Sequence, residues 1–136
     1  MTYLVLDVAR RELLFSYEDD PIYTLAGAMA KRNIDSVIVI NRDREGVGIV
    51  TVGDILRRVA KKEDLNSLKA GDIMSAPLIK VSKDIVFQEA LEIFKKKKIT
   101  RLPLSDEGGK VMGMARIDEV ERFKRFLDAK KELAQK

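Results

Sequence analysis

The residues best suited to chemistry stand together at Gly48-Ile49-Val50-Thr51-Val52-Gly53-Asp54-Ile55, where an apolar strand ends in a hydroxyl and a carboxylate at the start of a helical stretch. A helix start exposes unpaired N–H groups and the positive end of the backbone dipole, which favour an anion such as phosphate. A carboxylate beside it can accept two hydrogen bonds from a vicinal diol. This spacing predicts Thr51 facing a phosphate and Asp54 holding a ribose. The same residues also have a purely structural reading, in which Asp54 caps its helix and Thr51 is an ordinary strand residue.

Two other clusters invite a functional reading. Asp118, Glu119 and Glu121 stand near Arg116, and Asp118 and Glu121 share a helical face at i, i+3; such a set could hold magnesium or hydrolyse a nucleotide weakly. No Walker-type glycine loop or evident nucleophile accompanies them. Residues 95–98 are all lysine, and Arg122, Lys124 and Arg125 add positive charge, which attracts nucleic acid or other polyanions without specifying one. Few aromatics are available for base stacking, and lysines at a helix end also simply complement its dipole. Cysteine and histidine are both absent, which removes disulfides, thiolate nucleophiles, zinc sites of the usual kind and the commonest general base. The expectation is a nonenzyme without a metal.

The elements that must position these residues follow from hydrophobic periodicity. Residues 78–81 read as a short apolar strand, and Ser82-Lys83-Asp84 supplies helix-start residues. Phe87, Ala90, Leu91 and Phe94 then fall at i, i+3, i+4 and i+7, one helical stripe, matched earlier in the chain by Ile22, Leu25, Ala26 and Met29. Buried strands follow at 36–40 and 101–104, polar turns at 41–46 and 105–109, and second strands opening near Gly48 and Gly113. Second helices are expected over 54–61, bearing Ile55, Leu56 and Val59, and from Asp118, bearing Val120, Phe123 and Leu127. Residues 63–71 read as a short polar linker, and residues 128–136 as a charged extension of the final helix.

These elements repeat. Residues 7–62 lie over 72–127 without a gap, with anchors Asp7/Asp72, Leu13/Leu78, Asp19/Asp84, Lys31/Lys96, Ile34/Ile99, Gly48/Gly113 and Arg57/Arg122. A unit of this size is too small to bury a good core alone and is expected to pack against its twin. The predicted fold is α/β (α+β), two tandem β-α-β-β-α repeats over 1–66 and 67–136 that together make one compact module. At 136 residues and 46% hydrophobic content the chain suits one such body, and no apolar run approaches a membrane span. A cytoplasmic location is expected, since residues 1–7 lack the basic and apolar regions of a secretory signal. The net charge of +4 and pI near 9.3 come mostly from residues 95–98 and the tail after Arg122.

The duplicated unit, its Gly-h-h-Thr-x-x-Asp ending at residues 48–54, the opening Asp72-Ile73-Met74-Ser75-Ala76-Pro77-Leu78 and the middle Ile99-Thr100-Arg101-Leu102-Pro103-Leu104 resemble, in this order and over nearly the whole chain, the CBS-domain (cystathionine-beta-synthase-type) family. The resemblance implies two repeats placed face to face as a pseudo-twofold pair, a Bateman module, with adenosine-containing ligands bound in clefts between them. It implies Asp54 as the ribose acid and Thr51 as the phosphate-facing hydroxyl, with Gly53 between them. It implies a base pocket from Met74 and Ile79 together with Ile99, Thr100, Arg101 and Pro103. The ligand implied is AMP, ADP, ATP or S-adenosylmethionine acting as a regulator rather than a required cofactor, and the partners implied are a second copy in a homodimer and a target protein that receives the signal.

The mirror position departs from the pattern. Thr51 becomes Arg116, Gly53 becomes Asp118 and Asp54 becomes Glu119, and the opposing segment becomes Asp35-Ser36-Val37-Ile38, without arginine or proline. Glu119 could still reach a diol and Arg116 a phosphate, but Asp35 would repel a phosphate it faced. One well-formed and one degenerate site are therefore expected.

Overall fold

The computed structural model describes residues 2–135 and resolves the chain into two compact units. One unit is Leu13–Ile79; the other combines the segment up to Glu12 with the chain from Lys80 onward. Each contains one three-stranded mixed sheet and its helices.

In the Leu13–Ile79 unit the sheet is β1 (Phe15–Tyr17), β2 (Ser36–Ile40) and β3 (Gly46–Thr51), with β1 parallel and β3 antiparallel to the central β2. Four of the five β2 residues are buried, as a central strand covered on both faces requires. Helix α1 (Ile22–Arg32) turns the predicted stripe inward: Ile22, Leu25 and Met29 are buried and pack with Val37, Val39 and Val50. Helix α2 (Val52–Ala60) sends Ile55 toward that core but leaves Leu56 and Val59 exposed.

The expected linker at 63–71 does more than connect. A one-turn helix, α3 (Ala70–Ile73), buries Ala70 and Ile73 in the same core. Beyond it, Ser75 exchanges two backbone hydrogen bonds with Ile49, at 2.8 and 3.0 Å. The strand expected at 78–81 is displaced: β4 is only Val81–Ser82, where it pairs with Leu104 and Ser105.

The other unit repeats the plan with β4, β5 (Arg101–Ser105) and β6 (Val111–Arg116), α4 (Phe87–Lys97) and α5 (Ile117–Ala134). Phe87, Ala90, Phe94 and Val120 are buried, and Phe123 meets the rings of Tyr3, Phe87 and Phe126 at 5.4–5.6 Å. Ser82-Lys83-Asp84 does not start α4. The Ser82 hydroxyl accepts the Asp84 N–H at 3.1 Å in a turn, and the helix begins five residues after Ser82 at Phe87, from an extended Val86. The final helix extends through the charged tail to Ala134, and Lys136 lies outside the described residues. A 3-10 turn at Val5–Val8, without a signal in the sequence reading, buries Val5 completely.

The repeat is visible at the level of single bonds. Arg10 exchanges two backbone hydrogen bonds with Met114 as Ser75 does with Ile49. Asp7 accepts the Leu4 N–H and Asp72 the Lys69 N–H, both at 2.8 Å, which explains that anchor pair. Helices α1 and α4 each end in a left-handed residue, Asn33 and Lys98, after which Ile34 and Ile99 donate back to Met29 and Phe94. This is a Schellman ending whose apolar residue folds back on the helix.

Candidate functional site

Strand β3 passes into helix α2 without a connecting residue, and this junction sets out the Thr51–Asp54 corner. Thr51 is extended (φ −111°, ψ 165°) and serves as the helix cap, while the Val52 N–H is held by the Asp35 carbonyl at 3.0 Å. The Thr51 hydroxyl accepts the Asp54 N–H at 3.3 Å, and Asp54 Oδ2 accepts both the Thr51 N–H at 2.8 Å and the Thr51 O–H at 3.0 Å. This reciprocal pair satisfies donors that a helix start leaves open. Arg57, one turn on, donates from Nη2 to Asp54 Oδ1 at 2.5 Å.

The cap role of Asp54 is thus real, and it does not use up the carboxylate. Each oxygen offers two acceptor directions. Oδ2 has both filled by Thr51, whereas among the described residues Oδ1 serves Arg57 alone. The Asp54 side chain is 13% exposed and that of Arg57 is 67% exposed, so a fixed acid stands beside a cation that reaches solvent. A Cβ at Gly53 would sit in ordinary contact, 3.4 Å from Arg57 Nη1 and 3.6 Å from the Thr51 hydroxyl.

Of the other candidate residues, Asp35, Ser36, Met74 and Ile79 lie in this same unit. Ser36 is buried and opposes Thr51 in the β2–β3 register. The Met74 thioether lies across Gly48, where a Cβ would come within 2.6 Å of its sulfur. Ile79 is half-buried at the end of the unit.

Ile99, Thr100, Arg101, Pro103, Arg116, Asp118 and Glu119 belong to the other unit. The Thr100 carbonyl accepts the Ile117 N–H at 3.1 Å, and its hydroxyl accepts from Arg101 Nη1 at 3.0 Å. Arg101 opens β5 directly opposite Arg116, and Pro103 is fully buried inside the same strand.

The β6–α5 junction shows what the substitutions at the mirror position do. Arg116 caps the helix with backbone alone, so the reciprocal box is lost. Glu119 pairs instead with Arg10 at 3.4 Å, and Asp118 approaches Arg116 Nε at 3.7 Å. Arg10 is 109 residues from Glu119, so nothing in local spacing signalled that pairing. Among the described residues no group of three or more His, Cys, Asp or Glu side chains is placed to hold a metal ion. Also among them, no helix is long and apolar enough to cross a membrane.

The CBS domain model matches the chain twice, over residues 5–61 and 70–123. An uncharacterized protein of Methanopyrus kandleri is 31% identical over 124 residues, covering 90% of this chain and 63% of the relative. Inosine-5'-monophosphate dehydrogenase of Aquifex aeolicus is 35% identical over 104 residues, which cover 76% of this chain but only 21% of the enzyme. The chain therefore spans less than two thirds of the length of both. In fold it is similar to a CBS domain pair crystallised in complex with 5'-methylthioadenosine and S-adenosyl-L-methionine, with a TM-score of 0.77, 21% identity and coverage of 89% of this chain and 98% of that one. With two matches in tandem and the same α/β unit built twice, the chain belongs to the CBS-domain family.

Proposed function

We propose that this chain is a noncatalytic regulatory module that binds an adenosine-containing ligand, drawn from AMP, ADP, ATP and S-adenosylmethionine, and passes its occupancy to a partner protein. The observation that carries this reading is the Thr51–Asp54 corner: a carboxylate fixed by its own helix start, with an open acceptor on Oδ1, beside a helix N-terminus. The ribose diol donates to Asp54, and the 5' substituent lies toward the first turn of α2. Met74 and Ile79, in the same unit as Asp54, contact the base in this reading. The similar CBS pair in complex with two adenosyl compounds supports the ligand class.

Regulation then follows from differential binding. A ligand shifts two conformations only by as much as it prefers one of them, typically about 1–3 kcal/mol. Self-association as a homodimer in the cytoplasm completes the reading, with Leu56, Val59, Phe126 and Leu133 available as exposed apolar contacts.

Calorimetric titration with AMP, ATP and S-adenosylmethionine tests it. Asp54→Ala is expected to weaken binding by about ten- to hundredfold, since charge-assisted hydrogen bonds contribute roughly 1.5–3 kcal/mol. The variant also loses its capping box, about 1 kcal/mol of stability, so a thermal melt must accompany the titration. Unchanged affinity in a folded Asp54→Ala variant removes this corner from the site. Glu119→Ala is expected to leave the same affinity within about twofold, because Glu119 is paired with Arg10.

A further inference from the structure

We propose that a cavity at the far end of the β1–β2–β3 sheet binds a guanidinium ligand, the side chain of an arginine from a partner protein, and that Arg42 is the internal cation this ligand displaces. The cavity has a volume of about 300 Å³ and is lined by Tyr17, Glu18, Asp19, Ile40, Asn41 and Arg42, all in the Leu13–Ile79 unit. That volume lies at the lower end of ligand-sized clefts and suits one long side chain. The place is remote from the Thr51 corner. In the β2–β3 register Ser36 stands opposite Thr51 and Ile40 opposite Gly46, so about 13 Å of strand separates the two.

The cavity already holds a group of the proposed class, supplied by the chain itself. The Arg42 guanidinium lies 4.2 Å from the centroid of the Tyr17 ring, and its Nη2 donates to the two Asp19 carboxylate oxygens at 3.1 and 3.3 Å. An aromatic face with a carboxylate beside it is the pairing that a flat cation takes. Arg42 is loosely held: its side chain is 72% exposed and that of Asp19 is 61% exposed, and contacts so exposed contribute little. The surrounding charge also favours an incoming cation. Residues 18–20 are all acidic, and residues 41–45 hold two acids and two arginines, which leaves these two turns at −3 in a chain of net charge +4.

The other repeat shows that the ring is not needed to hold the turns together. At the equivalent positions Glu18 and Arg42 become Lys83 and Glu107, which pair at 3.4 Å, so an ion pair across the turns persists with acid and base exchanged. Tyr17 and Ile40 become Ser82 and Ser105. Turn closure by an ion pair is thus common to both units, whereas the aromatic and aliphatic floor beside it belongs to one.

The test is a 15N NMR titration with N-acetyl-arginine amide of the full chain, Arg42→Ala, Arg42→Ala with Tyr17→Leu, and Arg42→Ala with Asp19→Asn, with a thermal melt of each protein. Removing the internal cation is expected to tighten binding by about three- to tenfold, read from saturable shifts of the Tyr17 and Asn41 amides. Replacing the ring or Asp19 in that background is expected to weaken binding by about threefold or more in a folded protein. N-acetyl-lysine amide, without the planar fork, is expected to bind more weakly than the arginine probe. Free L-arginine separates the sources: weaker binding than the amide supports an arginine within a partner protein, and tighter binding overturns that source in favour of the amino acid. Weaker binding of the amide to Arg42→Ala than to the wild type would make Arg42 a contact for an anion and overturns the proposal. So does binding unchanged by Tyr17→Leu, or the absence of saturable shifts at these residues in the folded proteins.

Discussion

Asp54 shows how one side chain can serve fold and function together, because its two oxygens face different partners. The sequence made both roles legible but could not choose between them; the choice depends on how many acceptor directions the cap consumes. Gly48 and Gly113 were legible as anchors, yet their reason was not. The chain at Met74 and Ser75 crosses Gly48 so closely that a Cβ would lie 2.9 Å from the Ser75 carbonyl oxygen, whereas at Gly113 the nearest atoms stand at 3.4–3.5 Å. Gly48→Ala is therefore expected to destabilise by about 2 kcal/mol and Gly113→Ala by less than about 1 kcal/mol, measured by denaturant unfolding. Equal effects would contradict the asymmetry of these crossings.

At the scale of elements, the helices were the most legible because four apolar positions at helical spacing admit one reading. Their ends were less so. Serine and aspartate at 82 and 84 have the composition of a helix start, but the Ser82 hydroxyl is used in a turn before the helix begins. The strand expected at 78–81 is realised only from Val81, where pairing with Leu104 begins, and no local pattern encodes where a partner strand starts. The helix endings offer a direct test. Lys98 holds φ 55° where Asn33 holds φ 54°, and lysine tolerates that left-handed geometry less well than asparagine. Lys98→Gly is expected to stabilise by about 0.5–1 kcal/mol and Asn33→Gly by much less, read from paired thermal melts. In the turn beyond β5, Glu107 has its carboxyl held below the usual range by a backbone N–H first and by Lys83 second. Its contribution to stability is present above the unfolded value and is lost as pH falls through the lower folded value. Lys83→Met is expected to move that midpoint upward in an NMR titration.

For the whole molecule, duplication was legible from the constant offset, whereas the path of the chain was not. The opening segment of each repeat lies in the unit built by the other repeat's sheet: Val5 donates its N–H to Ile85, and Ala70 enters the core around Ile22. A fragment covering Leu13–Ile79 is therefore expected to show more hydrogen-exchange protection in β2 and β3 than a fragment covering 1–66, which lacks α3 and the Ser75 pairing. Equal protection would contradict that assignment of segments. The adenosyl reading depends on one corner of this architecture, and a 15N NMR titration of the full chain with AMP locates the ligand most directly. The account predicts saturable shifts of the Thr51, Gly53 and Asp54 amides at one common affinity. Saturable shifts confined to other parts of the chain, or none at all, would contradict it.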